Sequence, residues 1–411
     1  MVDIRNYAIV TSAYWGFTLT DGALRMLVLL HFHTLGYSPL ELAFLFMLYE
    51  FFGVVTNLVG GWIGSRFGLR ITLYAGLSLQ VFALWLLSQL DPAWSKAASV
   101  AFVVAAQGLS GIAKDLTKMS SKSAIKLVVP DDAHSALFKW VAVLTGSKNA
   151  LKGAGFFMGG LLLTVLGFEQ SLWAMAAGLV IVLSASVLFL RRELGKSKAK
   201  VKFTQIFSKS RAINLLSSAR FFLFGARDVC FVVGVPIFLY DAVGWTFTEV
   251  GGFMAAWVIG YGLVQAAAPA MVKRSADGLT PEKRAAQFGA FVLAAIPVGI
   301  VLAIQSGLDP AMAVVGGLAL FGIAFAVNSS VHSYLILTFT DSDKVALDVG
   351  FYYMANAGGR LVGSLLSGLS YQLWGLSGCL LTASALLAIA GLITILLSGE
   401  RRDAVAGHLT D

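Results

Sequence analysis

The stretch "LGYSPLELAFLFMLYEFFGV" (35–54) aligns without gaps to "VGWTFTEVGGFMAAWVIGYG" (243–262), half a chain away. Gly36 matches Gly244, Tyr37 matches Trp245, Ser38 matches Thr246 and Glu41 matches Glu249. In both copies a Gly–aromatic–hydroxyl turn ends in a residue able to cap the helix that follows. The chain therefore reads as two repeats of one plan. What fills each repeat decides the class of protein.

The 411 residues are 58% hydrophobic and only 13% charged. A soluble chain is nearer 45–50% apolar and about 25% charged. Apolar runs of about 20 residues, enough to cross roughly 30 Å of hydrocarbon, recur near 7–31, 40–63, 70–90, 98–124, 136–166 and 168–190. Six more follow near 213–239, 247–272, 286–305, 311–337, 346–371 and 376–397. The runs are long and continuous, which excludes the alternating ten-residue pattern of a membrane β-barrel. The expected fold is an all-α polytopic membrane protein of twelve transmembrane helices in two pseudo-symmetric six-helix bundles. Parallel repeats of this kind are a transporter architecture, with the substrate site near the midplane between them.

The formal net charge is +8. Lys96 is the only basic residue in one set of loops, whereas Arg5, Arg66, Arg70, Lys273, Arg274, Lys283, Arg284, Arg401 and Arg402 fall on the other side. This positive-inside asymmetry predicts that both termini are cytoplasmic. It also accounts for the charge without nucleic acid, for which no motif exists. The segment "RRELGKSKAKVKFTQIFSKSR" (191–211) carries eight basic residues and one acidic one. It is expected to be a cytoplasmic linker against anionic lipid, between bundles at 1–190 and 212–397, with a cytoplasmic tail at 398–411. No cleavable signal peptide is expected from "MVDIRNYAIV". Cys230 and Cys379 both fall in spans and imply neither a disulfide framework nor a metal site.

The loop "GGWIGSRFGLR" (60–70) resembles the loop 2–3 signature of the major facilitator superfamily, Gly-x-x-x-Asp-Arg-x-Gly-x-Arg. Gly61, Arg66, Gly68 and Arg70 fit it, while Ser65 stands in place of the usual Asp. The resemblance implies close helix packing at the glycines and a cytoplasmic gate latched by the charges. The missing carboxylate removes part of that latch.

An ionisable side chain at mid-membrane costs at least about 2.5–3.5 kcal/mol and is by default a functional residue. Counted at 1.5 Å per residue, Asp21, Arg25, Glu50, Lys114, Lys148, Arg227, Asp228, Asn328 and Arg360 lie near mid-depth. Lys118, Lys152 and Arg220 add positive charge a turn or two away, and Asn356 precedes Arg360 by one turn. The excess of cations over carboxylates suits a small, multiply charged anion. Arginine meets phosphate-like oxygens with a bidentate fork and lysine with a mobile point charge. Arg25 and Arg227, each on the first span of its half, form the natural clamp. The resemblance points the same way, since the superfamily's organophosphate exchangers use paired arginines on equivalent spans. The competing reading is structural: Asp21 and Arg25 pair at i,i+4, and Arg227 and Asp228 find partners across helices.

In "GIAKDLTKMSSKSAIKL" (111–127), lysines recur at 114, 118, 122 and 126. Like charges at this spacing repel, and Asp115 relieves only Lys118, at i,i+3. Lys114 and Lys118 are deep enough to face an anion cavity; Lys122 and Lys126 reach the cytoplasmic headgroups. Asp21, Glu50, Asp115 and Asp228 are candidate proton carriers, tunable by burial and nearby cations. His31 and His33 read as interfacial, and a lone His332 as hydrogen-bonded. Walker A, zinc, nucleophile-elbow and dinucleotide signatures are all missing, so neither an enzyme nor a cofactor is expected.

"TDGALRMLVLLHFHTLGYSPLELAFLF", "LSGIAKDLTKMSSKSAIKLVVP" and "LTGSKNALKGAGFFMGG" resemble the organoarsenical efflux permeases (ArsJ type) of bacterial arsenic-resistance operons. That resemblance implies export of 1-arseno-3-phosphoglycerate across the bacterial inner membrane. It also implies a functional link to glyceraldehyde-3-phosphate dehydrogenase, which makes the ester from arsenate. Protons are the expected coupling ion and a monomer the expected state. Charge alone leaves open another organophosphate, phosphate, or a lipid-headgroup flippase or membrane enzyme.

Overall fold

The computed structural model describes residues 4–67, 69–124, 134–190, 210–271, 280–339 and 345–399. Among them all regular structure is helical: α1 (Ile4–Thr34), α2 (Pro39–Leu45), α3 (Met47–Phe67), α4 (Leu69–Ser88), α5 (Lys96–Ala124) and α6 (His134–Phe189) in the first half. The second half contains α7 (Arg211–Val229), a π-helical turn (Cys230–Gly234), α8 (Val235–Asp241), α9 (Phe247–Met271), α10 (Thr280–Gln305), α11 (Pro310–Phe339) and α12 (Val345–Ile395). Nine stretches of the described chain are long and apolar enough to cross a membrane. Two of these, Gly146–Phe189 and Asp348–Ile395, run to 44 and 48 residues, about twice the length one crossing needs. Each is broken by a glycine outside helical space, Gly167 (φ 75°, ψ −174°) and Gly375 (φ 60°, ψ −153°). The protein is a multi-pass membrane protein. The expected linker lies outside the described residues from 191 to 209, as does the tail from 400 onward.

The repeat turns fold alike. Gly36 and Gly244 take φ of 79° and 78°, where a Cβ would strain the backbone. Gly36 ends α1 in a Schellman turn, with Gly36 N–H donating to His33 O (2.9 Å) and Tyr37 N–H to Phe32 O (3.2 Å). Ser38 then caps α2, accepting from Glu41 N–H at 3.4 Å while Glu41 accepts from Ser38 N–H at 2.7 Å. Thr246 and Glu249 repeat the exchange at α9, at 3.3 and 2.8 Å. Both are complete capping boxes.

Backbone contact between helices is set by glycines, as suits a medium in which apolar surface alone drives no association. A Cβ on Gly22 of α1 would lie 2.6 Å from Lys152 O of α6, and one on Gly155 or Gly159 would strike Leu19 O or Ala23 O of α1. The second half has the same device: a Cβ on Gly359 or Gly363 of α12 would strike Phe221 O or Gly225 O of α7. Two further seams join the halves. Gly153 of α6 packs on Ala255 O of α9 (2.8 Å from an added Cβ), and Gly368 of α12 packs on Pro39 and Ala43 of α2. At the end bearing the repeat turns, His33 Nε2 meets Asp241 Oδ1 at 2.9 Å and Leu40 N–H donates to Gln372 Oε1 at 3.3 Å.

The stretch from α7 through the π-turn to α8 is irregular for a visible reason. Pro236 cannot donate to the helix and its ring crowds the preceding turn. The chain widens into the π-turn just before it, and Ser367 Oγ of α12 accepts from Val233 N–H (3.1 Å) and Gly234 N–H (3.2 Å). This fixes the π-turn against α12 immediately after Arg227 and Asp228.

Candidate functional site

Where α1, α3, α7 and α12 meet, five charged side chains form one alternating chain. Arg25 Nη2 lies 3.0 Å from Glu50 Oε1, and the same oxygen receives Arg360 Nη2 at 2.6 Å. Arg360 Nε reaches Asp228 Oδ2 at 3.1 Å, while Asp228 Oδ1 accepts Arg227 Nε at 2.8 Å and Nη2 at 2.5 Å. The carboxylate side chains are 1% and 4% exposed, whereas the three arginine side chains keep 12–19%. The acids are thus sealed behind the bases. Within this chain only Arg360–Glu50 crosses from one half to the other.

The partners differ from the sequence reading in two places: Arg227 bonds its neighbour Asp228 rather than a partner across helices, and Arg25 finds another carboxylate. Arg25 does not bond Asp21 at i,i+4 but crosses to Glu50. Asp21 instead accepts the Tyr49 hydroxyl at 2.6 Å, and no cation among the described residues lies within ion-pair distance of it. Arg25 and Arg227 do not face each other as a simple clamp, because Arg360 stands between them. Glu50 Oε2 is buried without a hydrogen-bond partner among the described residues.

Beside this chain stand two cations of a different kind. Lys114 of α5 places Nζ 3.9 Å above the Tyr49 ring, and Lys152 of α6 places Nζ 5.8 Å from the centre of the Phe156 ring. Glu50, Asp21 and Arg360 are all within electrostatic reach of both lysines. Among the described residues neither lysine has a carboxylate at ion-pair distance or a hydrogen-bond partner. Cation–π contact offsets part of the burial cost, yet both ammonium groups retain their hydrogen-bonding capacity.

A second knot lies one turn further along α5. Asp115 accepts a short hydrogen bond from Thr56 Oγ1 and meets Lys118 Nζ at 3.4 Å, and Lys118 donates to Asn57 Oδ1 at 2.9 Å. The i,i+3 relief read from the sequence is present, reinforced by α3. Lys148 is half-buried one turn before Lys152, and Asn356 sits one turn before Arg360 with Oδ1 unpartnered among the described residues. Asn328 turns away from the charged chain: its Nδ2 donates to Ala286 O of α10 at 2.9 Å, packed against Gly289. Arg70 folds onto its own helix, donating from Nε to Tyr74 Oη at 3.2 Å. Gly68, the surroundings of Gly61 and the side chain of Arg66 lie outside the described residues, as do Lys122's side chain and all of Lys126.

Tyr49 was absent from the sequence reading, although it touches three members of the site. It bonds Asp21, carries Lys114 on its face and stands 5.7 Å from Arg25 Cζ; Phe46, one turn earlier, is 5.1 Å from the same guanidinium. The available signal was an aromatic next to a mid-membrane glutamate, on the face that Phe46 shares at i,i+3.

The sequence matches the Major Facilitator Superfamily over residues 9–331. No curated protein matches it. Among solved structures it is similar to one described as "Structural insights into substrate recognition in proton dependent oligopeptide transporters", at 12% identity, TM-score 0.73, covering 96% of this chain and 97% of that one. It is also similar to a bacterial homologue of the iron transporter ferroportin in an inward-facing state, at 13% identity, TM-score 0.72 and 97% and 100% coverage. A POT family transporter in complex with a thioalcohol-conjugated peptide gives 14% identity, TM-score 0.75 and 99% and 97% coverage. At such identities the likeness concerns the fold alone, but the family match covers most of the chain and agrees with the helical repeats just described. The chain belongs to the Major Facilitator Superfamily.

Proposed function

We propose that this protein is a secondary transporter that exports a small, multiply charged organo-oxyanion by alternating access. Its substrate on this reading is 1-arseno-3-phosphoglycerate, and its physiological effect is arsenate resistance. Splitting the two long helices at Gly167 and Gly375 and adding α1 brings the nine apolar stretches to twelve passes, with both termini cytoplasmic by the loop-charge asymmetry. The organism's inner membrane is the expected location, with substrate supplied by glyceraldehyde-3-phosphate dehydrogenase.

The observation that carries the reading is the pair of unpartnered ammonium groups, Lys114 and Lys152, beside three arginines already joined to carboxylates. Six cations (Arg25, Lys114, Lys118, Lys152, Arg227, Arg360) gather around four carboxylates (Asp21, Glu50, Asp115, Asp228). A dianionic ligand restores neutrality. An oxyanion that displaces Glu50 from Arg360 also breaks the one ion pair of this chain that ties the halves together, linking occupancy to rocking. The carboxylates released in turn are available to protons, and Asp21 can take one without losing any ion pair. A second anionic group on the ligand makes use of two cationic sets, arginines on one side and lysines on the other. Two buried cysteines, each within a span, offer no thiolate cluster for trivalent arsenic.

Everted vesicles test this directly. With the arseno-ester generated in situ from glyceraldehyde 3-phosphate, arsenate and the dehydrogenase, uptake should exceed that of 3-phosphoglycerate and collapse with the proton gradient. Equal uptake of the two esters would contradict the substrate assignment, and gradient-independent uptake the coupling.

A further inference from the structure

Tyr49 stands at the junction of the acidic and basic members of the charged site and carries no charge itself. It is 5% exposed on α3, and its backbone is tightly seated: a Cβ on Gly111 of α5 would lie 2.6 Å from Tyr49 O. That close approach brings α5 near enough for Lys114, three residues on, to place Nζ 3.9 Å from the centre of the Tyr49 ring. The hydroxyl at the ring's edge donates to Asp21 Oδ1 of α1 at 2.6 Å. One side chain thus holds a carboxylate at its tip and an ammonium on its face.

Asp21 has a second basic neighbour. The next residue, Gly22, lies against α6, where an added Cβ would be 2.6 Å from Lys152 O. Asp21 is the foremost of the charges acting on the Lys152 ammonium, ahead of Arg360, Arg25 and Glu50, and it also acts on Lys114 and Tyr14. Yet among the described residues Asp21 forms an ion pair with neither lysine. A carboxylate and an ammonium so placed attract strongly in a low-dielectric interior, so another contact must restrain the carboxylate. The Tyr49 bond is the one hydrogen bond to Asp21 among the described residues. A hydroxyl bonded to a carboxylate is charge-assisted, roughly twice as strong as a neutral pair. Were Tyr49 only a spacer between α1, α3 and α5, a phenylalanine would serve as well; the hydroxyl is the part that a spacer does not need.

We propose that Tyr49 is a positioning residue for the anion site: its hydroxyl keeps Asp21 from neutralising Lys152, and its ring holds Lys114 in place without neutralising it. Both ammonium groups thereby keep their charge for a ligand. The proposal rests on reading the two lysines as the anion site, but its test uses no transported ligand.

The neutral amine is the form that acylates, and pairing with a carboxylate depletes it about tenfold or more. The experiment is trace labelling of the full-length protein in nanodiscs with acetic anhydride at fixed pH, read by mass spectrometry of the lysine peptides. Lys96, already paired with Glu41 at 2.7 Å, is the internal reference. In Tyr49→Phe, labelling of Lys152 should fall about tenfold relative to Lys96, while Lys114, still over an aromatic ring, changes little. Asp21→Asn in the same background should restore Lys152, the two substitutions being coupled rather than additive. The sign separates positioning from support, because a loosened fold labels faster, not slower. Unchanged or faster labelling of Lys152 in Tyr49→Phe overturns the proposal, and so does a slowing that Asp21→Asn fails to reverse. If labelling follows the prediction but wild-type vesicles take up no organo-oxyanion, the transport reading fails and the role of Tyr49 stands.

Discussion

The two halves share a scaffold and diverge in charge. Gly22, Gly155 and Gly159 bring α1 against α6 as Gly225, Gly359 and Gly363 bring α7 against α12. The same Gly-x-x-x-Gly spacing on α6 and α12 faces the first helix of its own half. On that common frame the first half carries lysines without carboxylate partners, Lys114 and Lys152. The second carries arginines, Arg227 and Arg360, bonded to Asp228. Where α5 carries its lysine row, the corresponding α11 carries Asn328, Ser329 and His332. Geometry has been conserved between the repeats while electrostatics has been divided. On the proposed reading Arg227 and Arg360 of the second half supply fixed forks together with Arg25 of the first, while the mobile point charges Lys114 and Lys152 come from the first half alone, and a ligand with two anionic ends needs both.

The sharpest way to break this comparison is at its bridge. Arg360→Gln removes a partner from both Glu50 and Asp228, and losing one side of a buried pair costs about 3–5 kcal/mol. Uptake into everted vesicles should be abolished and the thermal midpoint clearly lowered; near-normal uptake would leave the bridge without a role. Next come the glycine seams. Gly159→Val and Gly363→Val should each destabilise by about 1–3 kcal/mol through overpacking, read as fluorescence-monitored unfolding. Similar losses support equivalent seams, whereas a loss at one position only would end the symmetry. The smallest effects belong to the repeat turns. Ser38→Ala and Thr246→Ala should each cost about 1 kcal/mol, measured the same way, with uptake unchanged.

How much of this was legible in the sequence follows the range of each interaction. The capping boxes at Ser38–Glu41 and Thr246–Glu249 involve residues three apart, so the turns could be read directly. Asp115–Lys118 was readable for the same reason. The mid-membrane charges were legible because burying them is costly and few chains do it without purpose. Their pairing was not: Glu50 and Arg360 are 310 positions apart, and nothing local chooses Glu50 over Asp21 for Arg25. Tyr49 makes that choice by occupying Asp21. Asn328 shows the other limit. Its depth was readable, but its azimuth was not, and it packs on α10 rather than toward the charges. The loop at 60–70 gave a family resemblance through its spacing, while Arg70 bonds Tyr74, a partner no motif contains.

The central claim is that Lys114 and Lys152 await an anion and do not support the fold. The direct measurement is arseno-ester uptake by everted vesicles containing Lys114→Gln/Lys152→Gln, paired with the thermal midpoint of the same protein. Neutralising two half-buried cations without carboxylate partners among the described residues should leave the midpoint unchanged or raise it, while uptake is lost. Full uptake by the double variant, or a collapse of the midpoint with it, would contradict the account.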